Sequence, residues 1–175
     1  MTRLATGRHL VARFFGSLWP GGPGTEDGAW ARDALLPGEA SLWRRMSGAD
    51  RRHAVAVARR TGAHLGDRAT RPVLAAALLH DVGKVESRLG PVGRALVTVA
   101  GMAAGHDAAE RWSGRSGTVG RAGRYLCHDR IGAELLAAAG SDALTVAWAR
   151  EHHLPATRWT VPAALGEALK AADDD

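Results

Sequence analysis

The chain of 175 residues has a single cysteine, Cys127, and no apolar run long enough to cross a membrane. One cysteine excludes an internal disulfide, which is consistent with a reducing compartment. A spanning helix needs about 18 or more consecutive apolar residues. Arg3, Arg8 and Arg13 interrupt the apolar residues at the N-terminus, which argues against a cleaved signal sequence. The sequence therefore predicts a cytoplasmic protein.

Lysine is scarce, and no long block of basic residues occurs. The chain has 23 Lys and Arg residues and a net charge of +5, but only Lys84 and Lys170 are lysines, and the arginines are scattered. Nucleic-acid binding needs basic residues that cluster on one face, so we expect no specific nucleic-acid binding. Phe14 and Phe15 beside arginines would permit peripheral contact with an acidic membrane, although such a segment more often packs on its own domain.

The sequence also lacks the alternation of apolar and polar residues that is typical of strands, and it has no internal repeat. The predicted fold is therefore all-α, a single compact multi-helix domain with an N-terminal helical extension. Residues 1–24 would form the extension, a basic amphipathic helix over 2–18 with a Pro/Gly linker. Residues 25–175 would form the domain, which is long enough to bury a full core.

Helix boundaries follow from capping residues and from glycine and proline. Asp50, Thr70, Ser141 and Thr160 are the predicted capping residues of four helices. The predicted helices cover residues 25–36, 39–46, 50–65, 70–83, 91–104, 120–139 with a break near His128, 142–153 and 160–173. The glycine-rich stretch 105–120 is predicted to be a loop or lid.

The segment from Ala77 to Lys84, ALLHDVGK, places His80 and Asp81 side by side at the end of an apolar helix. Gly83 would close that helix, since glycine commonly follows a helix C-terminus. An ordinary helix end requires neither a histidine nor an aspartate before this glycine. Imidazole nitrogens and carboxylate oxygens bind Zn, Mn and Fe. The pair therefore indicates a metal site, with a hydrogen-bonded helix end as the alternative for the pair taken alone.

Further residues of ligand type lie on or beside predicted helices. They are His53, His128, His152, His153 and Asp173. His80 and Asp81 each follow an apolar residue by seven positions, so both should face the core, where a carboxylate must be paired or bind metal. Helical periodicity does not choose between His152 and His153.

Asp173 belongs to a run of three aspartates at the end of the last predicted helix. Carboxylates at a helix C-terminus oppose the helix dipole, so something should offset that cost. A solvated acidic tail explains Asp174 and Asp175. Asp173 follows the apolar positions Leu165 and Leu169, and we predict that it is a metal ligand.

The order of these residues resembles that of the HD-domain metal-dependent phosphohydrolases over residues 50–175. The segment LLHDVGK matches the family motif of His-Asp, one residue, Gly and Lys without departure. Two further matches are His128 with the following IGAELL, and the AAD that ends at Asp173. The resemblance implies a mononuclear ligand set of His53, His80, Asp81 and Asp173, and it favours His152 over His153.

Within the family, the sequence is most similar to the branch that cleaves dinucleoside polyphosphates and to the cyclic-dinucleotide phosphodiesterases. The Gly-Tyr-Pro signature of one cyclic-dinucleotide branch is absent after His153, where the chain reads LPATR. That departure disfavours this particular substrate and leaves other nucleotides open.

His128 and His152 exceed the mononuclear set, and this surplus predicts a second metal with Asp81 as the bridge. Two divalent cations against two carboxylates leave an excess of about two positive charges, which should attract phosphate. Lys84 would hold a phosphate oxygen as a point charge, so Asp81 and Lys84 are the predicted catalytic residues. Fe or Mn is favoured in a histidine-rich site with open positions, and Zn is possible.

The predicted function is hydrolysis of phosphate esters or anhydrides in a small phosphorylated substrate, a nucleotide or dinucleotide, with hydroxide generated at the metals as nucleophile. Arg124 or Arg130, near His128, would assist. Two alternatives stay open: a regulatory HD module that binds metal or nucleotide without turnover, and a di-iron oxygenase of the HD type.

Overall fold

The structure, a computed structural model, describes residues 21–104 and 106–175. Within these ranges the chain forms ten α-helices and no strand, which confirms the predicted all-α fold. The helices are α1 (Thr25–Asp33), α2 (Pro37–Arg45), α3 (Gly48–Leu65), α4 (Arg71–Leu79), α5 (Pro91–Ala104), α6 (His106–Ser113), α7 (Gly117–Leu126), α8 (His128–Ala138), α9 (Ala143–Glu151) and α10 (Ala163–Asp174). The helix predicted over residues 2–18 lies outside the described residues. No helix of the described ranges is both long and apolar enough to cross a membrane.

Helix α4 lies at the centre of the core. After its first turn its sequence is entirely apolar, as expected for a helix that others enclose. Val73 and the run from Ala75 to Leu79 are at most 1% exposed, and burying each leucine stabilises the fold by about 1.5–3 kcal/mol. Helix α4 packs against α3 and α9, and α3 also contacts α10. The C-terminal end of α4 therefore lies inside the protein, and His80 and Asp81 follow it there.

Helices α3 and α9 begin at capping residues that differ from the predicted ones. Ser47, not Asp50, caps α3, because its hydroxyl accepts a hydrogen bond from the backbone N–H of Asp50. Asp142, not Ser141, caps α9 by accepting from the N–H of Leu144. In both helices a nearby residue of equal capping ability occupies the N-cap position. The residue types alone therefore do not determine where the helix begins.

The stretch 105–120, predicted to be a loop or lid, is not a loop in its described part, which contains α6 and the start of α7. Gly117 has a φ of 66° at the turn between the two helices. Gly123 lies inside α7, where an added Cβ would be 2.1 Å from the backbone nitrogen of Ser113. Gly117 therefore permits the turn between the two helices, and Gly123 permits their close approach.

The break predicted near His128 is confirmed. Helix α7 ends at Leu126 and α8 begins at His128, with Cys127 between them at φ −103° and ψ 24°. Cys127 is 1% exposed and is not in a disulfide. This break directs the first residue of α8 toward the end of α4.

Candidate metal centre

Three ligand-type side chains from different helices form the first of two clusters. His53 lies in α3, His80 directly follows α4, and Asp173 lies in the last turn of α10. The Nε2 atom of His53 is 2.9 Å from Asp173 Oδ1, and His80 Nε2 is 3.6 Å from the same oxygen. One ligand atom of each residue lies within 4.8 Å of the others. Since bonds from zinc to nitrogen or oxygen are about 2.0–2.2 Å long, this first cluster could hold one ion.

The second cluster consists of Asp81, His128, His152 and His153. The Nε2 atoms of His128 and His152 are 3.2 Å and 3.8 Å from Asp81 Oδ1. His153 Nε2 is 3.1 Å from His128 Nε2. A ligand atom of each of the four residues again lies within 4.8 Å of the others. Three imidazoles and one carboxylate are a donor set that suits Zn, Fe or Mn.

Asp81 lies between the two clusters. Its Oδ1 faces His128 and His152 of the second cluster, whereas its Oδ2 is 3.5 Å from Nε2 of His80 in the first. Each oxygen of the carboxylate is therefore directed toward a different cluster. This is the geometry that a bridging carboxylate requires, since an ionised carboxylate accepts on both of its oxygens.

Backbone carbonyls fix the orientation of three histidine rings. The Nδ1 atoms of His80, His128 and His152 donate to the carbonyl three residues earlier, at distances of 2.9, 2.8 and 2.9 Å. A carbonyl can only accept, so Nδ1 carries the proton and the Nε2 lone pair of each neutral ring faces the clusters. Among the described residues, the buried Nε2 atoms of His80 and His152 have no hydrogen-bond partner. A buried polar atom in this state is costly, and a bound cation would satisfy both.

Gly83 does not close α4 as predicted. The helix ends at Leu79, and Gly83 lies in a buried 3₁₀ turn over Val82–Glu86. A Cβ at Gly83 would be 1.9 Å from the carbonyl oxygen of His128 and 2.6 Å from the nitrogen of Gly132. The glycine therefore allows the turn after Asp81 to lie against the first turns of α8, which brings His128 to the carboxylate.

The electrostatics of the centre leave its ligands ready for a cation. Burial would raise the pKa of Asp81, but the Lys84 ammonium and the His80 ring outweigh it and hold that pKa well below its usual range. Burial lowers the pKa of His153 to about 3, with help from the neighbouring His152 and His128 rings. Burial also dominates for His152, whose pKa is lowered. Metal ligands must be deprotonated, and these side chains meet that requirement at neutral pH.

His80 titrates differently. Burial lowers its pKa, but the carboxylates of Asp81 and Asp173 outweigh burial and raise it. Burial would raise the pKa of Asp173, but the hydrogen bond from His53 and the charge of His80 outweigh burial and lower that pKa. In the first cluster a proton on histidine therefore compensates the carboxylates, and a metal ion would have to displace it.

An arginine offsets the cost that Asp173 imposes at the end of α10. Arg60 of α3 donates from Nε and Nη2 to the carbonyl oxygen of Ala172, at 2.9 Å and 2.7 Å. A cation at a helix C-terminus is favourable because carbonyls there lack intrahelical partners. Lys170 in addition pairs with Asp174 at 2.6 Å. The Arg60 contact holds the last turn of α10 beside α3, whereas the pair of Lys170 and Asp174 lies within α10.

His153 is the site residue that the sequence interpretation left out. Periodicity did not choose between His152 and His153, and the structure includes both in the second cluster. Helix α9 ends at Glu151, so the two rings are no longer held about 100° apart around one helix axis. The same signal was present at His80 and Asp81, where adjacent ligand types also follow a helix end.

The segment after the His152–His153 pair is tied back to α9 by Glu151. This buried carboxylate accepts from the backbone N–H and the hydroxyl of Thr160, each at 2.6 Å. Thr160 therefore does not cap α10 as predicted. Helix α10 instead begins at Ala163, after Pro162.

The predicted phosphate-binding residues differ in their surroundings. Lys84 lies at the centre, where its Nζ donates to Asp81 Oδ2 at 2.5 Å. Arg124 donates from Nε to the carbonyl of Glu86, and Arg130 pairs with Glu134 at 2.8 Å. Both arginines thus have partners away from the clusters, and the structure gives them no role in the centre.

Comparisons of the chain with protein-family models, with curated proteins and with solved structures find no match. The relation to HD-domain phosphohydrolases therefore stays a prediction from the sequence motif. What the structure contributes is an all-helical body with two His/Asp clusters, largely buried, that could each hold a metal ion.

Proposed function

We propose that this chain is a metal-dependent hydrolase of phosphate esters or anhydrides of the HD type, acting on a nucleotide or dinucleotide. The observation that carries the proposal is the position of Asp81. Its two carboxylate oxygens face two different clusters of ligand-type side chains, and Lys84 contacts one of these oxygens. A pair of cations with a lysine beside it is the arrangement that phosphoryl chemistry uses.

Divalent ions at the two clusters would activate a water molecule and stabilise the negative oxygens of a phosphate during displacement. The protein's own residues provide the rest. The carbonyl-anchored rings of His80, His128 and His152 hold their Nε2 atoms in fixed positions. Such outer hydrogen bonds typically contribute 10- to 100-fold to metal affinity.

Lys84 and Asp81 would bind and orient the substrate phosphate together. The side chain of Lys84 is 16% exposed, so its ammonium can be reached by a ligand while Asp81 holds it at the centre. Lys84 would neutralise a phosphate oxygen, and Asp81 would fix the distance between the two cations. The donor sets, two histidines with one carboxylate and three histidines with one carboxylate, favour Fe or Mn and allow Zn.

The test is anaerobic metal analysis of the full chain, followed by a screen of a phosphodiester model compound and a panel of nucleotides and dinucleotides. We expect close to two ions per chain and hydrolysis of at least one compound of the panel, measured as the alcohol, nucleotide or phosphate that it releases. Asp81→Asn should lose metal and at least about 100-fold of the activity, since it removes the shared ligand. Asp174→Asn is the matched control, because Asp174 is exposed and belongs to neither cluster, and its ion pair among the described residues is with Lys170.

Three outcomes would contradict the proposal. An Asp81→Asn variant that keeps both metal and hydrolysis would show that the bridge is not used. Stoichiometric metal without turnover of any compound in the panel would favour a regulatory binding module. Oxygen consumption by the iron-loaded protein, without hydrolysis of any compound in the panel, would favour an oxygenase.

A further inference from the structure

Helix α5 exposes a stripe of aliphatic side chains on its outer face. Val92, Leu96 and Val99 are 59%, 68% and 64% exposed. Their spacing of four and three residues places them on one face of the helix. Over the parts of the chain that the structure describes, the one other large apolar side chain that is exposed is Val119 of the neighbouring α7. The exposed apolar surface is therefore concentrated on this pair of helices.

The opposite face of α5 attaches the helix to the rest of the domain. Arg94, Thr98 and Gly101 each lie two positions beyond a residue of the stripe, which is about 200° around the helix axis. Arg94 donates to Asp50 of α3 at 2.7 Å, and Thr98 donates to a tyrosine hydroxyl of α7 at 3.5 Å. A Cβ at Gly101 would be 2.5 Å from a methyl carbon of Leu126, so α5 and α7 approach closely there. The stripe therefore points away from the protein.

The stripe is not explained by the ordinary composition of a protein surface. Single aliphatic residues on a surface are normal, but the outer face of a surface helix is usually polar. Arg94 is the only charged residue in the sequence of α5, and its guanidinium is paired with Asp50. The outer face of α5 thus has no charged group beside its aliphatic side chains. A contiguous apolar face of this kind is typical of an interaction surface.

The region around the stripe is basic. Residues 88–126, which include α5, α6 and α7, contain six arginines but only two acidic residues. Arg88 is exposed before the start of α5, and Arg115 is exposed between α6 and α7. Arg121 donates to a backbone carbonyl at 3.1 Å, which leaves its positive charge unneutralised. The charge of this region therefore favours an anionic partner.

Charge and shape distinguish between the partners that could cover the stripe. A second copy of the chain would place this basic surface against itself, and like charges across an interface are unfavourable. Residues 1–20 contain three arginines and no acidic residue, so the N-terminal segment also has the wrong sign. Protein interfaces take most of their binding energy from aromatic and arginine side chains in pockets, whereas the stripe is a convex ridge of aliphatic side chains. Such a ridge fits the boundary between lipid headgroups and acyl chains.

We propose that α5 binds an anionic lipid membrane. Val92, Leu96 and Val99 insert at the boundary between headgroups and acyl chains, and the surrounding arginines contact the negative headgroups. The helix lies along the membrane surface and does not cross it, in agreement with its length of 14 residues. This binding requires neither metal nor hydrolysis, so it holds or fails independently of the proposed function.

The experiment is flotation of the full chain, without added metal, with vesicles of two compositions. One is phosphatidylcholine alone, and the other contains three parts phosphatidylcholine and one part phosphatidylglycerol, which is anionic. Each arginine near an anionic surface strengthens binding about fivefold, and we expect the anionic vesicles to bind the chain at least about tenfold more tightly. Raising the salt concentration should weaken this binding, because salt screens the charges.

Leu96→Ser tests the stripe without a change in net charge. Binding to the anionic vesicles should weaken about tenfold, since the variant lacks the apolar side chain that inserts. Because Leu96 is largely exposed, the unfolding temperature of the variant should equal that of the wild type. Val99→Ser should weaken binding in the same way, and it serves as the second variant if Leu96→Ser does not fold.

A matched pair of arginine variants tests the charge. Arg88→Gln removes an exposed arginine beside α5 and should weaken binding about fivefold. Arg68→Gln removes an exposed arginine from the turn after α3 and should leave binding unchanged. Asp50, which contacts α5, lies at the start of α3, and a helix of 18 residues is about 27 Å long. Arg68 is therefore at the opposite end of α3 from the proposed membrane contact.

Four results would overturn the inference. The first is a wild type that does not float with the anionic vesicles, and the second is binding that both serine variants retain in full, which would assign the contact to other residues. The third is an equal loss of binding in Arg88→Gln and Arg68→Gln, which would indicate attraction by net charge alone. The fourth is a dimer that Leu96→Ser dissociates without any vesicle binding by the wild type, which would assign the stripe to a second copy of the chain.

Discussion

A methyl group at Gly83 perturbs the contact between the turn that follows Asp81 and the start of α8. The added Cβ would lie 1.9 Å from the carbonyl oxygen of His128, whereas real Cβ contacts essentially never fall below 3.0 Å. The atoms in contact are backbone, so a side-chain rotation cannot relieve the clash. The difference between 1.9 Å and 3.0 Å means that the two backbones must separate by at least about 1.1 Å.

This separation is large compared with what a metal site tolerates. His128 Nε2 is 3.2 Å from Asp81 Oδ1, and ligand distances in a functional site vary by about 0.2 Å. We expect Gly83→Ala to lose the ion of the second cluster and to retain the ion of the first. Overpacking typically costs about 1–3 kcal/mol, which for a chain of this size lowers the unfolding temperature by roughly 2–12 °C.

The assay is elemental analysis of metal per chain after loading, together with thermal unfolding of the metal-free protein followed by circular dichroism. Gly90→Ala is the matched control, because a Cβ at Gly90 meets nothing within 4 Å. The control should behave like the wild type in both measurements. If Gly83→Ala kept two ions and an unchanged unfolding temperature, the close contact would not shape the centre and the reasoning would be wrong.

Two further predictions concern the first cluster. Arg60→Gln removes both hydrogen bonds to Ala172, so the zinc affinity of this cluster should fall about 10- to 100-fold in a chelator competition. The control Arg59→Gln should not change this affinity. Equal affinities for the two variants would refute the role of the contact between Arg60 and Ala172. On acidification the first cluster should release its ion at higher pH than the second, because the pKa of His80 is raised and that of His153 is lowered to about 3, so protons compete at His80 first. Metal analysis over a pH series should show the two ions released at different pH values, and Gly83→Ala should show only the release at the higher pH. Release of both ions at one pH would contradict the expected difference between the clusters.

The residues of the two clusters were accessible from the sequence, because most of them lie at or beside helix ends. All six predicted ligands, His53, His80, Asp81, His128, His152 and Asp173, lie in the two clusters. Buried imidazoles and carboxylates are rare in an apolar helical core unless something pairs with them. Their residue type and their inward spacing were therefore informative without any knowledge of tertiary structure.

The supporting contacts were not accessible, because each depends on how distant elements approach one another. Arg60 and Ala172 are 112 positions apart, and one arginine among many carries no signal of its own. Gly83 was interpreted as a helix end, since glycine favours that position in sequence, and Gly123 lay inside a helix predicted over residues 120–139, where no feature of the sequence set it apart. Their actual role is to remove a Cβ where two backbones meet, and this requirement is invisible until both backbones are placed.

The contact between Lys84 and Asp81 would couple metal binding to phosphate binding at the proposed centre. Lys84 Nζ lies 2.5 Å from Oδ2 of Asp81, the oxygen directed toward the first cluster. A carboxylate oxygen has two lone pairs, so Oδ2 can accept from the ammonium and still face a cation. A phosphate that draws Lys84 away from Asp81 would weaken this hydrogen bond. Oδ2 would then be a stronger ligand for the cation of the first cluster, and that cation would be bound more tightly. Because such coupling is reciprocal, the ion would strengthen phosphate binding by the same factor. The lysine of the motif would then make occupancy by metal and occupancy by substrate favour one another.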